Sequence, residues 1–431
     1  MANAIELAPF LAFDKVTKKL APRQYEPNRM LLQFPDIFAN ISAVVADTPK
    51  STLQAVFIVT AYSSYELFFS ASSLTGMDRW EKGCYQYIDE SLPWLASKFF
   101  LDATYSNESR ENLETMTEEL KSALIKRVST NDWMQNDTKT LVNEKLFEVK
   151  ANVGYLQHTP DAWNATDLLK YSSPINITDS YFNNALSIRQ WAVSRALQAL
   201  SRPVDDTLWP EFGVHSFNAQ ARYYTQYNAI LLPAGLTQKP VYFKDAPSYL
   251  VYGSTGIVSG HKITHGFDTN GRLWNNNRQY EDWWDAESEA AFENRTQCFV
   301  DQFSSMPLTD HNGRMVLNKT GQPAYINGAF TVSENIADAG GVVSAWEAWR
   351  EHEASVPSKR LPGLDEFTKE QLFFITAGQM WCSKSSREDL LAKIAVDVHA
   401  PAFARVMAIT QNSKGFREAW QCKEKEPICE I

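Results

Sequence analysis

Between Ser109 and Val128, the apolar residues Leu113, Met116, Leu120, Leu124 and Ile125 recur among charged neighbours. Their spacing is close to the 3.6-residue period of an amphipathic helix. Asn136 to Lys150 repeats the pattern, and Tyr65–Phe69 and Trp94–Phe100 form dense apolar clusters, so residues 1 to about 200 read as mostly helical. Pro160–Thr178 and Ser201–Gly213 carry proline, glycine and Asn-x-Ser/Thr triplets and read as loops. After about Pro210 the pattern changes. Tyr227–Leu232 is a short apolar run ending at Pro233-Ala234-Gly235, which suits a strand and a turn. The small, glycine-rich stretch Gly253–Gly260 leads into Ile257–His265, which suits a buried helix; Thr331–Trp349 and Phe367–Trp381 are further helical candidates. No internal repeat or low-complexity tract appears.

Composition narrows the class. The 431 residues are 44% hydrophobic and 13% aromatic, the make-up of a globular chain with a large core. A formal net charge of -10 argues against binding a nucleic-acid backbone, which needs clustered Lys and Arg. No apolar run reaches the ~18 residues of a membrane span. The best stretch, Ala55–Phe69, is broken by Thr60, Ser63, Ser64 and Glu66. Met1–Lys15 has no basic segment followed by an apolar one and does not read as a signal peptide. Seven Asn-x-Ser/Thr sequons, at Asn40, Asn107, Asn136, Asn164, Asn176, Asn294 and Asn318, favour the secretory route. Five cysteines show no CxxC pattern, and their odd number leaves at least one without an internal partner.

Two short segments carry candidate chemistry. In His261-Lys262-Ile263-Thr264-His265 two histidines stand at i and i+4, on one helix face, where both imidazoles reach a single ion. Two ordinary surface or core histidines look the same. In Ser333-Glu334-Asn335-Ile336-Ala337-Asp338 two carboxylates stand at the same spacing. Glu334 suits the third position of a His2Glu zinc site, and Asp338 suits the acceptor for the second nitrogen of a ligating histidine. Alone, this is also an ordinary acidic helix face.

With their surroundings these segments resemble the neprilysin and endothelin-converting enzyme family of zinc metallopeptidases. The resemblance runs through Asn228-Ala229-Ile230, Gly256-Ile257-Val258, Gly266-Phe267-Asp268, Asp282-Trp283-Trp284, Gly340-Gly341, Leu361-Pro362-Gly363-Leu364, Trp381-Cys382 and Asp397-Val398-His399. It spans about residues 210 to 431, with weaker echoes such as Asp132-Trp133-Met134 earlier. It implies an α+β, mainly α, fold. A zincin (thermolysin-like, gluzincin) catalytic domain occupies 201–431, and 1–200 is the remnant of a larger helical domain.

The resemblance implies a peptide substrate and one Zn2+ held by His261, His265 and Glu334. It makes Asp338 the residue that orients His261, His399 the residue that stabilises the oxyanion, and Arg405 the contact to the substrate carbonyl. Ile230–Leu232 is expected near the edge strand that pairs with the substrate backbone. Extracellular or secretory-pathway localisation follows, with a disulfide between Cys298 and Cys429. Cys84, Cys382 and Cys422 match cysteines whose family partners lie in a region this chain lacks, which predicts three orphaned thiols.

The chain departs from the family motif His-Glu-xx-His at Lys262. The missing Glu takes a proton from the attacking water and passes it to the leaving amine. An ammonium with an ordinary pKa near ~10.4 cannot do so. Its charge also weakens zinc affinity. Gln220-Ala221 stands where the family has Asn-Ala, one methylene longer in reach, with Asn218-Ala219 as a shifted substitute. The expected protein is therefore a zinc- and peptide-binding pseudoenzyme. The alternatives are an active zinc endopeptidase and an interaction fragment without metal.

Overall fold

The structure, a computed structural model, describes residues 15, 18, 19, 21, 34–69, 77–155, 160–200 and 215–431. The Ser201–Gly213 loop, the change of pattern near Pro210, residues 1–14 and the side chains of the Tyr65–Phe69 cluster lie outside the described residues. The fold is α+β and mainly helical.

The chain forms two compact units: Met1–Lys98 with Gln157–Gly213, and Phe99–Leu156 with Val214–Ile431. The segment 99–156, on the N-terminal side of the boundary drawn from sequence, thus groups with the C-terminal half.

The first unit carries helices Pro35–Asp47, Lys50–Phe69, Met77–Ser91, Ala165–Ser172 and Tyr181–Ala199. Ala165–Ser172 corrects the loop expected over Pro160–Thr178. The side chain of Asn164, read as part of a sequon, accepts from the N–H groups of Thr166 and Asp167 and caps this helix. The Arg195 guanidinium stacks 4.0 Å above the ring of Tyr171, which also meets Trp191 edge-on, tying Ala165–Ser172 to Tyr181–Ala199. Among the described residues no helix is long and apolar enough to cross a membrane.

In the second unit, α1 (Asn107–Thr130) starts at Ser106, whose hydroxyl accepts from Ser109 N–H. Helix α2 (Asn136–Phe147) is shorter than the Asn136–Lys150 expectation, because Lys150 opens a strand. That strand, β1 (Lys150–Gly154), pairs parallel with β3 (Ala229–Pro233), a partner too distant along the chain for local periodicity to reveal. On its other side β3 pairs antiparallel with β2 (Arg222–Tyr224). Ile230–Leu232 therefore lie on the central strand with both neighbours taken, and among the described residues β1 and β2 form the edges of the sheet.

Asn228 turns the chain into β3 in the left-handed region, at φ 45°. Its side chain donates to Lys145 O and accepts from the Tyr223 hydroxyl. Lys145, fully buried at the end of α2, donates to the carbonyls of Gly266, Gly271 and Trp274. It thereby fixes the loop that follows α3 (Ile257–Thr264).

Helix α3 continues from a π-turn at Tyr252–Gly256 and packs on α5 (Gly328–Ser355), on whose flank lies α4 (Ala286–Ser304). Glycine permits the approach of α3 to α5. A Cβ on Gly260 would meet Ser344 Oγ at 2.3 Å, and one on Gly341 would meet the backbone nitrogen of His261 at 2.7 Å. Farther along α5, Trp346 and Trp349 pack on Phe373 and Phe374 of α6 (Lys369–Met380), where Thr368 and Gln371 form a reciprocal cap. Helices α7 (Arg387–Val396) and α8 (Ala402–Asn412) follow, and a Cys298–Cys429 disulfide joins α4 to the C-terminal segment. Cys84, Cys382 and Cys422 are free thiols.

Candidate metal centre

Helix α3 presents two successive turns of imidazole. His261 is buried, and His265, the residue that ends the helix, is nearly so; their rings stand edge-on with centroids 4.6 Å apart. Across the glycine contact, one turn of α5 presents Glu334 and Asp338. One ligand atom each from His261, His265 and Glu334 lies within 4.8 Å of the others.

Each histidine uses its outer nitrogen in a hydrogen bond. His261 Nδ1–H donates to Asp338 Oδ1 at 2.8 Å, and His265 Nδ1–H donates to Asp268 Oδ2 at 2.7 Å. Both bonds fix the tautomer that turns the Nε2 lone pair inward. Asp268 is held in turn by Ser333 Oγ–H and by the N–H groups of Asn270 and Gly271. Sequence reasoning gave Asp268 and Ser333 no role. The signal was present: Asp268 follows His265 by three residues, and Ser333 directly precedes Glu334.

Of the remaining predicted residues, His399 reaches Glu334 directly and Arg405 reaches the centre through Asp338. His399, from the turn before α8, brings Nε2 to 3.1 Å from Glu334 Oε2, while its Nδ1–H donates to Asp397. Arg405, on α8, donates through Nε and Nη2 to both oxygens of Asp338, at 2.7 and 2.6 Å. Its guanidinium also lies over the Trp381 ring. The carboxylate expected to orient His261 thus anchors Arg405 as well, which uses part of the donor set expected for a substrate carbonyl. Gln220 and Ala221 lead into β2. Gln220 lines a cavity of about 670 Å³ together with His399, Arg405 and Trp381, whereas Ala221 is buried. The side chain of Asn218 instead closes a turn by accepting from His215 N–H.

Electrostatics sharpen the picture. Burial opposes ionisation of Glu334, but the imidazoles of His261, His265 and His399 outweigh it and hold the carboxyl far below its usual range. Asp338, buried beside Arg405 and His261, is likewise held ionised. Burial pushes His261 down despite Asp338 and Glu334, whereas for His265 the same burial is outweighed by Asp268 and Glu334, which push it up. Burial also lowers Lys262, with Arg405 and Arg222 repelling its ammonium and Glu334 and Asp338 attracting it.

The residues present fit a divalent metal ion. Glu334 Oε2 is buried and makes no hydrogen bond, although three imidazole nitrogens approach it to 3.1, 3.5 and 3.1 Å. Two nitrogen donors and a carboxylate are the ligand set of zinc with one position left open. Lys262 stands beside that set, with Nζ 3.4 Å from His265 Nε2.

Models of peptidase family M13 match residues 220–430 and 1–156. Membrane metallo-endopeptidase-like 1 of Mus musculus is 32% identical over 353 residues, covering 81% of this chain and 44% of that protein. Human neprilysin is 31% identical over 347 residues, covering 79% of this chain and 44% of its own length. The inhibitor-bound crystal structure of the zinc metalloprotease ZMP1 of Mycobacterium tuberculosis shares the fold, with a TM-score of 0.75 at 24% identity over 93% of this chain and 60% of that one. The chain belongs to peptidase family M13, the family of neprilysin and the endothelin-converting enzymes. It spans about half the length of the curated relatives it matches.

Proposed function

We propose that this chain is a zinc- and peptide-binding member of its family in which hydrolysis is lost or strongly reduced. One observation carries the reading: a largely buried His261–His265–Glu334 donor set has an ammonium-bearing side chain, Lys262, at the position of the family's catalytic carboxylate. When bound, zinc supplies an electrophile that polarises a carbonyl and acidifies water. The rest falls to the chain. Asp338 and Asp268 orient the two imidazoles. His399 faces the site as a donor for an oxyanion; Glu334 raises its pKa despite burial, with Asp397 adding to the effect. Arg405, anchored by Asp338, offers its remaining N–H groups to a peptide carbonyl. Gln220 and Ala221 lie at the entry to β2, and the open edge of β2 is suited to an extended peptide backbone.

Lys262 cannot accept a proton while it is charged, and loss of general acid–base assistance costs about 10²- to 10⁴-fold in rate. The sequons and the Cys298–Cys429 bond favour an extracellular or secretory-pathway protein. In this reading residues 201–431 are the peptidase-type domain and 1–200 part of a larger helical one. Elemental analysis of the purified protein tests the metal: one zinc per chain is expected, and none after His261→Ala. A metal-free wild type that stays empty in excess zinc would overturn the reading.

A further inference from the structure

Lys262 does more than lack a base. Its Nζ approaches His265 at Nε2, the nitrogen that faces Glu334 at 3.5 Å; the other ring nitrogen is committed to Asp268. The lysine N–H and the metal of the proposed function therefore address the same lone pair. The surroundings explain why the side chain stays there. Glu334 Oε2 is buried and faced by three imidazole nitrogens at 3.1, 3.5 and 3.1 Å, and its charge also attracts the Lys262 ammonium. Arg405 is engaged by both oxygens of Asp338. His399, with Nε2 3.1 Å from Glu334 Oε2, is itself held by Asp397. Lys262 is the flexible cation in this group, a compact ammonium on a four-carbon stem that can swing aside.

We infer that Lys262 is a tethered internal cation that caps His265 Nε2 in the metal-free protein and competes with the metal for that nitrogen. The inference rests on the metal reading given above. It gives the centre two states, one closed by lysine and one filled by metal, with the Lys262 amine released from His265 in the second. A lysine that merely repels zinc from nearby would leave the metal-free state unaffected, or would strain it. A lysine acting as a metal ligand would be held more tightly when zinc binds.

Three measurements separate these cases. Zinc affinity is measured by competition with a chromophoric chelator. Lys262→Leu should bind zinc more tightly than wild type, by about 10-fold or more, because a like charge beside the ion is removed. In metal-free buffer the same variant should melt several degrees below wild type, because the Glu334 carboxylate loses its counter-charge; with zinc the order should reverse. In the wild type, reductive methylation of Lys262, followed by mass spectrometry, should rise when zinc is added. This last readout needs no variant to fold.

Protection of Lys262 by zinc would overturn the inference, as would equal or weaker zinc binding by Lys262→Leu, or an unchanged or raised melting point of that variant without metal. Lys262→Glu serves as the control for the underlying reading. If it binds zinc while the three predictions fail, only the competitor role is wrong; if no variant binds zinc, the metal reading falls and takes this inference with it.

Discussion

The two halves of α5 are buried for different reasons. The N-terminal half, from Gly328 to Gly341, buries Asn335 and Asp338 and turns Glu334 toward α3. The C-terminal half buries Trp349 and packs Trp346 and Trp349 against Phe373 and Phe374. Aromatic packing needs only complementary shape, and its stabilisation follows from the area removed from water. A buried carboxylate needs named partners: Asp338 has His261 and Arg405, and Glu334 has three imidazoles and Lys262 around it. One half of the helix therefore holds the fold together. The other also buries Ile336 and Ala337, but its carboxylates stay buried because a polar network surrounds them, and the proposed chemistry lies in that network.

Substitutions in each half should separate the two roles. Asp338→Ala removes the acceptor for His261 and leaves the Arg405 guanidinium unpaired. It should weaken zinc binding by about 10- to 100-fold in a chelator competition. It should also lower unfolding stability by about 3–5 kcal/mol, the usual cost of breaking a buried ion pair from one side. Trp349→Ala should cost a similar ~3–5 kcal/mol in denaturant unfolding by opening a cavity, yet leave zinc stoichiometry unchanged. Loss of zinc in the Trp349 variant at a temperature where it remains folded would erase the distinction between the halves.

The smallest effect is expected at the far end of α5. There His352 Nδ1–H donates to Glu119 at 3.1 Å, and Glu119 also accepts from the Tyr252 hydroxyl just before α3. Glu119 raises the His352 pKa above the unfolded 6.5. The contact therefore stabilises the protein fully below pH 6.5 and loses that effect as pH rises through the folded pKa. His352→Gln should lower the melting temperature at pH 5.5 and converge with wild type by pH 9. The difference should correspond to about 1 kcal/mol or less, because the pair is partly exposed.

Most of the centre was legible in the sequence because its parts lie at helical spacing. His261 and His265, and Glu334 and Asp338, each stand four apart, and each pair does share a face of one helix. His399 and Arg405 carried no local signal of their own; the family resemblance pointed to them. Asp268 was missed although it lies three residues beyond His265, because the loop that aims it is built by Lys145 from another helix. Lys150, the first residue of the strand Lys150–Gly154, was read as the end of a helix, and the helix Ala165–Ser172 as a loop. The first error reflects non-local pairing with β3. The second reflects an asparagine whose capping role was hidden by its place in a sequon.

The central claim is that Lys262 stands where a proton acceptor is required, in a site otherwise built to hold zinc. Peptide cleavage by zinc-loaded wild type and zinc-loaded Lys262→Glu, measured side by side on an internally quenched peptide, tests it most directly. The account predicts a cleavage rate about 10²- to 10⁴-fold higher for Lys262→Glu, abolished by a chelator. Equal rates in the two folded, zinc-loaded proteins, or cleavage by wild type that persists in Lys262→Ala, would contradict it.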